Sequence, residues 1–380
     1  MLQTLIKSKI QNPLAQRRVA QSKINIISWQ YLRQHLFSIS PEEATFARRG
    51  FHSSNIQTQQ QLEQIGHTFL QGYHEAIANP EPETLIPQLN TVTTELRGFA
   101  FEGAAMGLAL LDILTPWKSN RVQMFLADAG ANHIYMVYVG MGWALARIPF
   151  SLEHYLTQLN QKTAKKQTLS HPLYSYQPNP KSISVAARSA IQNPKSIDSL
   201  LGWLAIDGYG FHQGYFYPSQ YVQKQALPKK LSGYSRRVFD QGLGRSLWFV
   251  YGADIPGITN SLLTFHPDRL SDLWSGIGLA CTYAGGVDGD AIKALKIAAG
   301  NYQHHLAQGA AFAAKARQRA GNLTPHTELA CQLLCGMSSD AAAEITDIAL
   351  ENLSPEEETP AYEVWRRRIQ GQFQLLGANA

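Results

Sequence analysis

The sequence predicts an all-α fold built from degenerate tandem helical repeats, each a Gly-rich helix plus an aromatic-rich helix, in one large helical domain. Three observations carry that prediction. Apolar residues recur at three- and four-residue spacing in Ala-rich runs, with Ser, Thr, Asp or Pro at their starts. Alternating strand patterns are scarce. Gly-rich segments also recur: Leu96-Arg97-Gly98-Phe99-Ala100-Phe101 resembles Ile206-Asp207-Gly208-Tyr209-Gly210-Phe211 and Trp274-Ser275-Gly276-Ile277-Gly278-Leu279. Downstream, Gly130 to Gly140 parallels Gly242 to Gly252, and residues 299–309 read as a weaker third copy. Glycine inside a helix costs up to about 1 kcal/mol relative to alanine. Six such glycines therefore point to close approach of a second backbone or of a ligand.

Taken in order, residues 57–78 form an amphipathic helix with Leu62, Ile65, Phe69, Tyr73 and Ile77 on one stripe, ended by Pro80 and Pro82. A short helix spans 82–89. Helices over 95–114 and 122–147 follow, the second broken near Gly130. Residues 158–197 contain Pro172, Pro178, Pro180 and Pro194 and read as an irregular connection holding one helix near 182–191. Helices then cover 196–216, 238–252, 258–263, 268–283, 291–298, 301–320, 326–334, 340–353 and 361–373. The organisation is a basic arm (1–45), a first repeat unit (46–157), the Pro-rich basic connection (158–197), second and third units (198–373) and a tail (374–380).

Composition narrows the function. Charged residues are 16% of the chain and aromatics 10%, against roughly 25% charged in an average soluble domain. Such a chain can bury enough apolar surface to offset chain entropy, which excludes disorder. Three cysteines exclude a disulfide scaffold. The length, 380 residues, allows a sizeable core with a ligand cavity.

The net charge of +5 is unevenly placed. Residues 1–41 and 154–197 hold twelve Lys and Arg and no acid, which leaves −7 on the rest of the chain. Two basic appendages on a mildly acidic body suit an anionic membrane surface or an acidic protein partner, or are simply solvated. Neither interleaves a dense basic run with stacking aromatics, so nucleic acid is not the expected partner. The first ten residues are interrupted by Lys7 and Lys9 and contain no secretory core, so the expected location is the cytoplasm, with peripheral membrane association as a second option. Residues 98–114 and 134–146 are apolar but too short to span, and Glu102 lies inside the first.

Familiar catalytic motifs are absent: no Walker loop, no dinucleotide fingerprint, no His-Glu-x-x-His, no Gly-x-Ser-x-Gly and no Cys-x-x-Cys. Cys331 and Cys335, four apart, with His326 one turn earlier, could form half a metal site, but core packing is the preferred reading and no metal site is assigned. Asp288 reads as a helix cap rather than an ion ligand. The sequence identifies no cofactor.

Polar residues stranded in apolar helices are the more telling group. Glu102 sits among Phe99, Phe101, Ala104, Ala105 and Met106; Asp207 and His212 bracket Gly208-Tyr209-Gly210-Phe211; Arg245 precedes Ser246-Leu247-Trp248-Phe249. Buried charges must be paired or shifted in pKa, and carboxylate, imidazole and guanidinium around a cavity are the material of acid–base chemistry. Glu102, Asp207, His212 and Arg245 are therefore the catalytic candidates. Phe101, Phe211, Tyr215, Trp248, Phe249 and Trp274 are the candidates for ligand contact. A structural ion pair such as Glu102–Arg245 stands beside that reading.

The segments GFAFEGAAMGLALLD, FHQGYF, FDQGLGRSLWFVYGADI, DLWSGIGLACTYAGG, LAQGAAFAAKARQRAG, PHTELAC and PAYEVWRRR resemble a bacterial family of unknown function with cyanobacterial relatives. Its members are encoded beside enediyne polyketide synthases and labelled enediyne biosynthesis proteins. The resemblance covers about residues 46–369 and supplies no catalytic residues. It implies an accessory role in converting a linear polyene into an enediyne core or alkyne precursor, alongside a membrane protein of electron-transport type and an FG-GAP-repeat protein. The expected function is an enzyme or enzyme subunit acting on a long unsaturated hydrocarbon in an apolar cavity. A non-catalytic polyene carrier docking to a membrane partner is the alternative. A terpene cyclase-like helical enzyme ranks third, since no Asp-Asp-x-x-Asp occurs.

Overall fold

The structure, a computed structural model, describes residues 31–164, 197–353 and 359–378, Leu32 and Ser54 excepted. Among these the fold is all helical, with no strand. The helices are α1 (Phe46–Arg49), α2 (Ile56–Ala78), α3 (Pro82–Asn90), α4 (Arg97–Leu114), α5 (Arg121–Leu126), α6 (Ile134–Arg147), α7 (Ser151–Ala164) and α8 (Trp203–Phe216). They continue as α9 (Tyr234–Val250), α10 (Ile255–Leu262), α11 (Pro267–Ala284), α12 (Gly289–Ala299), α13 (Gln303–Ala320), α14 (Pro325–Cys335), α15 (Ser339–Ile348) and α16 (Ala361–Ala378).

Seven helices carry the core: α2, α4, α6, α8, α9, α11 and α13, each packed on the next in that order. The end of α13 turns back on the start of the row. Arg317 Nη1 donates to the Glu95 carbonyl (3.2 Å), Arg319 Nε to that of Ala131 (3.0 Å) and Asn322 Nδ2 to that of Thr94 (3.2 Å). The row thus curls around an interior.

Glycines set the spacing. Gly208 of α8 lies against the Val139 carbonyl of α6, and Gly142 of α6 against the Ala205 carbonyl of α8. A Cβ at either position would strike backbone, so only glycine lets these helices approach as closely as they do. The same arrangement recurs along the row as Gly140/Gly142, Gly208/Gly210, Gly242/Gly244 and Gly276/Gly278, the first facing the preceding helix and the second the following one. Gly103 and Gly309 take the first position in α4 and α13, with Ala105 and Ala311 in the second. The register differs from the expected pairing. Gly98 instead meets the Tyr283 hydroxyl, Gly130 lies in the 3₁₀ turn Ala129–His133, and Gly252 takes a left-handed φ of 56° after α9.

With the first glycine of each helix as origin, the residues one before and three after fall on one face, four apart. They are Glu102/Met106, Val139/Trp143, Asp207/Phe211, Gln241/Arg245, Ser275/Leu279 and Gln308/Phe312. This face supplies much of the lining of the two interior cavities described below.

Most expected helices are present, with shifted ends. α8 starts at Trp203 rather than 196, after a turn around Gly202. α9 stops at Val250 because Gly252 and Ala253 are left-handed. α15 stops at Ile348, short of the expected 353. Asp288 does cap α12, its side chain accepting from the Ala291 N–H. α7 runs through Ala164, into the stretch read as irregular from 158. The rest of that connection, its helix near 182–191 and most of the basic arm lie outside the described residues. No helix among the described residues is long and apolar enough to cross a membrane.

Candidate functional site

Between α2, α4, α6, α8 and α9 lies an apolar cleft of about 550 Å³, its mouth included. Phe69, Phe99, Met106, Trp143, Phe211, Tyr215, Phe216 and Phe249 wall it, and Glu102 lies among them. The rings are mutually packed: Trp143 sits 4.6 Å from Phe69 and 5.0 Å from Phe211, and Phe211 5.4 Å from Phe249. Ile39, Glu43 and Ala44 close one side. Their segment is tied down by the Tyr73 hydroxyl donating to the Phe37 carbonyl (2.7 Å), by the Phe46 N–H donating to Glu63 Oε1 (2.8 Å) and by Arg49 Nη2 donating to the Phe216 carbonyl (2.6 Å).

Glu102 is buried, and its Oε1 has no hydrogen-bond partner. Burial pushes its pKa up to about 7; Arg245 pulls it down, Asp207 pushes it further up, and the Trp143 indole N–H, just short of hydrogen-bond geometry, pulls it down. A carboxyl held near neutrality in an apolar site is present in both forms at neutral pH, which is what a general acid or base requires.

Asp207 and Arg245 meet behind the cleft, Arg245 Nη1 donating to Asp207 Oδ1 at 2.5 Å. The ion pair weighed as the alternative, Glu102–Arg245, is not the one formed: Arg245 pairs with Asp207 because α8 and α9 cross at Gly242, which lies against the Asp207 carbonyl itself. Burial raises the Asp207 pKa, with Arg245 working the other way. For Arg245 burial favours the neutral form, but Asp207 and then Glu102 hold it charged. The Arg245 guanidinium also lies 4.8 Å over the Phe211 ring, a cation–π contact across the cleft wall.

Phe211, Tyr215 and Phe249 of the ligand candidates line the cleft. His212 does not join the carboxylates: its Nδ1 meets Gln213 Oε1 at 3.3 Å, its ring packs on Trp143 and Phe216, and burial lowers its pKa to about 3. Phe101 stacks on His133 and Phe125 (4.1 and 5.3 Å) away from the cleft. Trp248 donates from Nε1 to the Gly285 carbonyl (2.9 Å), and Trp274 is buried outside the cleft lining. Trp143, Phe69 and Phe99 line the cleft but are not among the ligand candidates read from the sequence. Trp143 stands three after Gly140, as Phe211 stands three after Gly208, so the glycine register would have found it.

No group of three His, Cys, Asp or Glu among the described residues is arranged to hold a metal. His326 Nε2 meets the Cys281 carbonyl at 2.9 Å, and Cys335 Sγ donates to that of Ala307 at 3.5 Å. A second polar cluster is structural: Asp272 of α11 and Glu363 of α16 hold Arg237 and the fully buried Arg366.

The described residues define an all-helical protein with an apolar, aromatic-walled cleft in which Glu102 Oε1 has no hydrogen-bond partner. The sequence signature of the family described as "Protein of unknown function (DUF1702)" matches residues 28–176 and 180–373, and the chain belongs to that family. No curated protein and no solved structure matches it.

Proposed function

We propose that the chain binds an elongated unsaturated hydrocarbon in the aromatic cleft and that Glu102 exchanges a proton with it. One observation carries this reading: the Glu102 carboxyl, shifted to about 7 and with its Oε1 unpartnered, lies among aromatic rings. The protonated acid adds its proton to a carbon of the conjugated system, the π pair forming the new C–H bond and leaving a delocalised cation; the resulting carboxylate then takes a proton from that same carbon, restoring the double bond. That sequence conserves atoms and electrons. Aromatic faces stabilise the cation, as they do any cation in a desolvated site. The resemblance noted above supplies the biological setting, an accessory step in enediyne or polyene biosynthesis. The test is incubation with synthetic all-trans decapentaene in D₂O, followed by mass spectrometry. Deuterium enters the hydrocarbon with the native chain and not with Glu102→Gln; equal incorporation by both overturns the proposal.

The carrier reading draws on the twelve Lys and Arg in two acid-free stretches. It has a cytoplasmic protein shielding the polyene while the basic segments hold it at an anionic membrane or membrane-protein partner. Replacing the six cations of residues 1–41 by Gln then releases the protein from phosphatidylserine vesicles with decapentaene binding unchanged. Unaltered vesicle binding refutes it.

A further inference from the structure

Resting on the ligand reading above, we infer that a second interior cavity, between α6, α8, α9, α11, α13 and α16, receives the far end of the same linear ligand, so that Glu102 faces the middle of the chain rather than its terminus. This cavity, about 410 Å³ when open solvent and the gaps between its lining atoms are counted, is bounded by Met136, Val139, Leu204, Leu279, Phe312 and Trp365 among others, and is almost as apolar as the cleft.

The two cavities are separated by pairs of side chains in contact, one of each pair facing each cavity. On one side Phe211 lines the cleft, Arg245 lines the second cavity, and the guanidinium lies 4.8 Å from the ring. On the other side Phe99 lines the cleft, Tyr283 lines the second cavity, and the rings meet edge to face at 5.1 Å. Glu102 stands on the cleft side and is acted on electrostatically by Arg245, while Tyr283 in turn feels Glu102. Both partition contacts join side chains on neighbouring or facing helices of the same curled row, so both cavities belong to one interior.

The groups left over at this partition fit a passage. Arg245 Nε, Tyr283 Oη and Glu102 Oε1 are buried without hydrogen-bond partners. Gly98, which faces the Tyr283 hydroxyl, leaves it the room a larger residue would take. Tyr283, whose hydroxyl makes no hydrogen bond, can turn aside for a chain without breaking one, whereas Arg245 stays held to Asp207 on the α8 side. Beyond the partition there is no charged side chain in the lining other than Arg245, so what enters is hydrocarbon and not a charged head group. The ligand class is a linear chain with at least one apolar end, long enough to pass Glu102.

The test is a chain-length series. Straight-chain primary alcohols from octanol to octadecanol compete with parinaryl alcohol, a fluorescent conjugated probe, for the full-length protein. Affinity rises about fourfold per added methylene until both cavities are full, then levels off. Ala313→Leu, which shrinks the second cavity, moves the plateau to a shorter alcohol with short-chain affinity unchanged; Leu279→Ala moves it to a longer one. The two variants act in opposite directions, so a folding defect in one does not spoil the test. A plateau that stays in place in both variants overturns this inference and leaves the cleft reading intact. No binding of probe or alcohols overturns both.

Discussion

Glu102 and Arg245 influence each other across the interior without pairing: Arg245 Nη1 is bound to Asp207 Oδ1 at 2.5 Å, and Glu102 Oε1 is left without a partner. A buried carboxyl next to a guanidinium would ordinarily be drawn into an ion pair. Here the crossing of α8 and α9 gives the guanidinium to Asp207. Glu102 keeps a weaker attraction, too small to offset its burial.

Glu102→Gln follows directly. In the unfolded chain the carboxyl ionises near 4.5, in the fold near 7. Between those values the native state holds a proton that the unfolded chain has lost, so stability falls as pH rises through that window. Above pH 7 the cost of the charged native form reaches about 3 kcal/mol. Glutamine has no proton to lose. Urea unfolding therefore shows the variant equal to the native chain near pH 4 and more stable by about 2–3 kcal/mol near pH 8, with deuterium transfer abolished.

Trp143→Phe keeps an aromatic ring against Phe69 and Phe211 but removes the indole N–H that favours ionised Glu102. The Glu102 pKa moves above about 7. Infrared titration of the protonated carboxyl band, assigned by its loss in Glu102→Gln, reads the shift. An unchanged midpoint means that the indole has no hold on the acid.

The glycines test the row itself. Gly208→Ala sets a Cβ against the Val139 carbonyl, where only movement of α6 or α8 gives relief. Gly371, in α16, has nothing within 4 Å of the same atom. Thermal and urea unfolding show Gly208→Ala destabilised by about 3 kcal/mol or more, while Gly371→Ala gains up to about 1 kcal/mol from helix propensity.

These glycines also explain how much the sequence discloses. Helices were legible because apolar periodicity and caps such as Asp288 are local signals. Glu102, Asp207 and Arg245 were legible as polar residues in apolar runs, and all three lie at one interior cluster. His212 lies apart from these three because it sits next to the interior face rather than on it: Asp207 and Phe211 are four apart, and one further residue turns about 100° away. Trp143 was missed because Gly140 was aligned with Gly252, a loop residue, instead of Gly242. Which carboxylate takes Arg245 depends on helix crossing, and no local pattern encodes that.

Asp272→Ala bears on the second polar cluster. Asp272 Oδ1 pairs with Arg366 Nη2 at 2.7 Å and Oδ2 with Arg237 Nε at 2.9 Å, and the Arg366 side chain is wholly buried. Glu363 also reaches both arginines, at 2.6 Å for Arg237 and 3.4 Å for Arg366, but already serves Arg367. Removing Asp272 thus leaves two cations and one carboxylate in the interior, and an uncompensated buried charge costs about 3–5 kcal/mol. Arg237 is about a third exposed and finds water; Arg366 cannot. The double variant Asp272→Ala with Arg366→Met removes the stranded charge along with its partner, so it is more stable than Asp272→Ala alone. Urea unfolding of the two single variants and the double gives the coupling between the sites. A double variant no more stable than Asp272→Ala means that Arg366 finds another partner or water once Asp272 is gone.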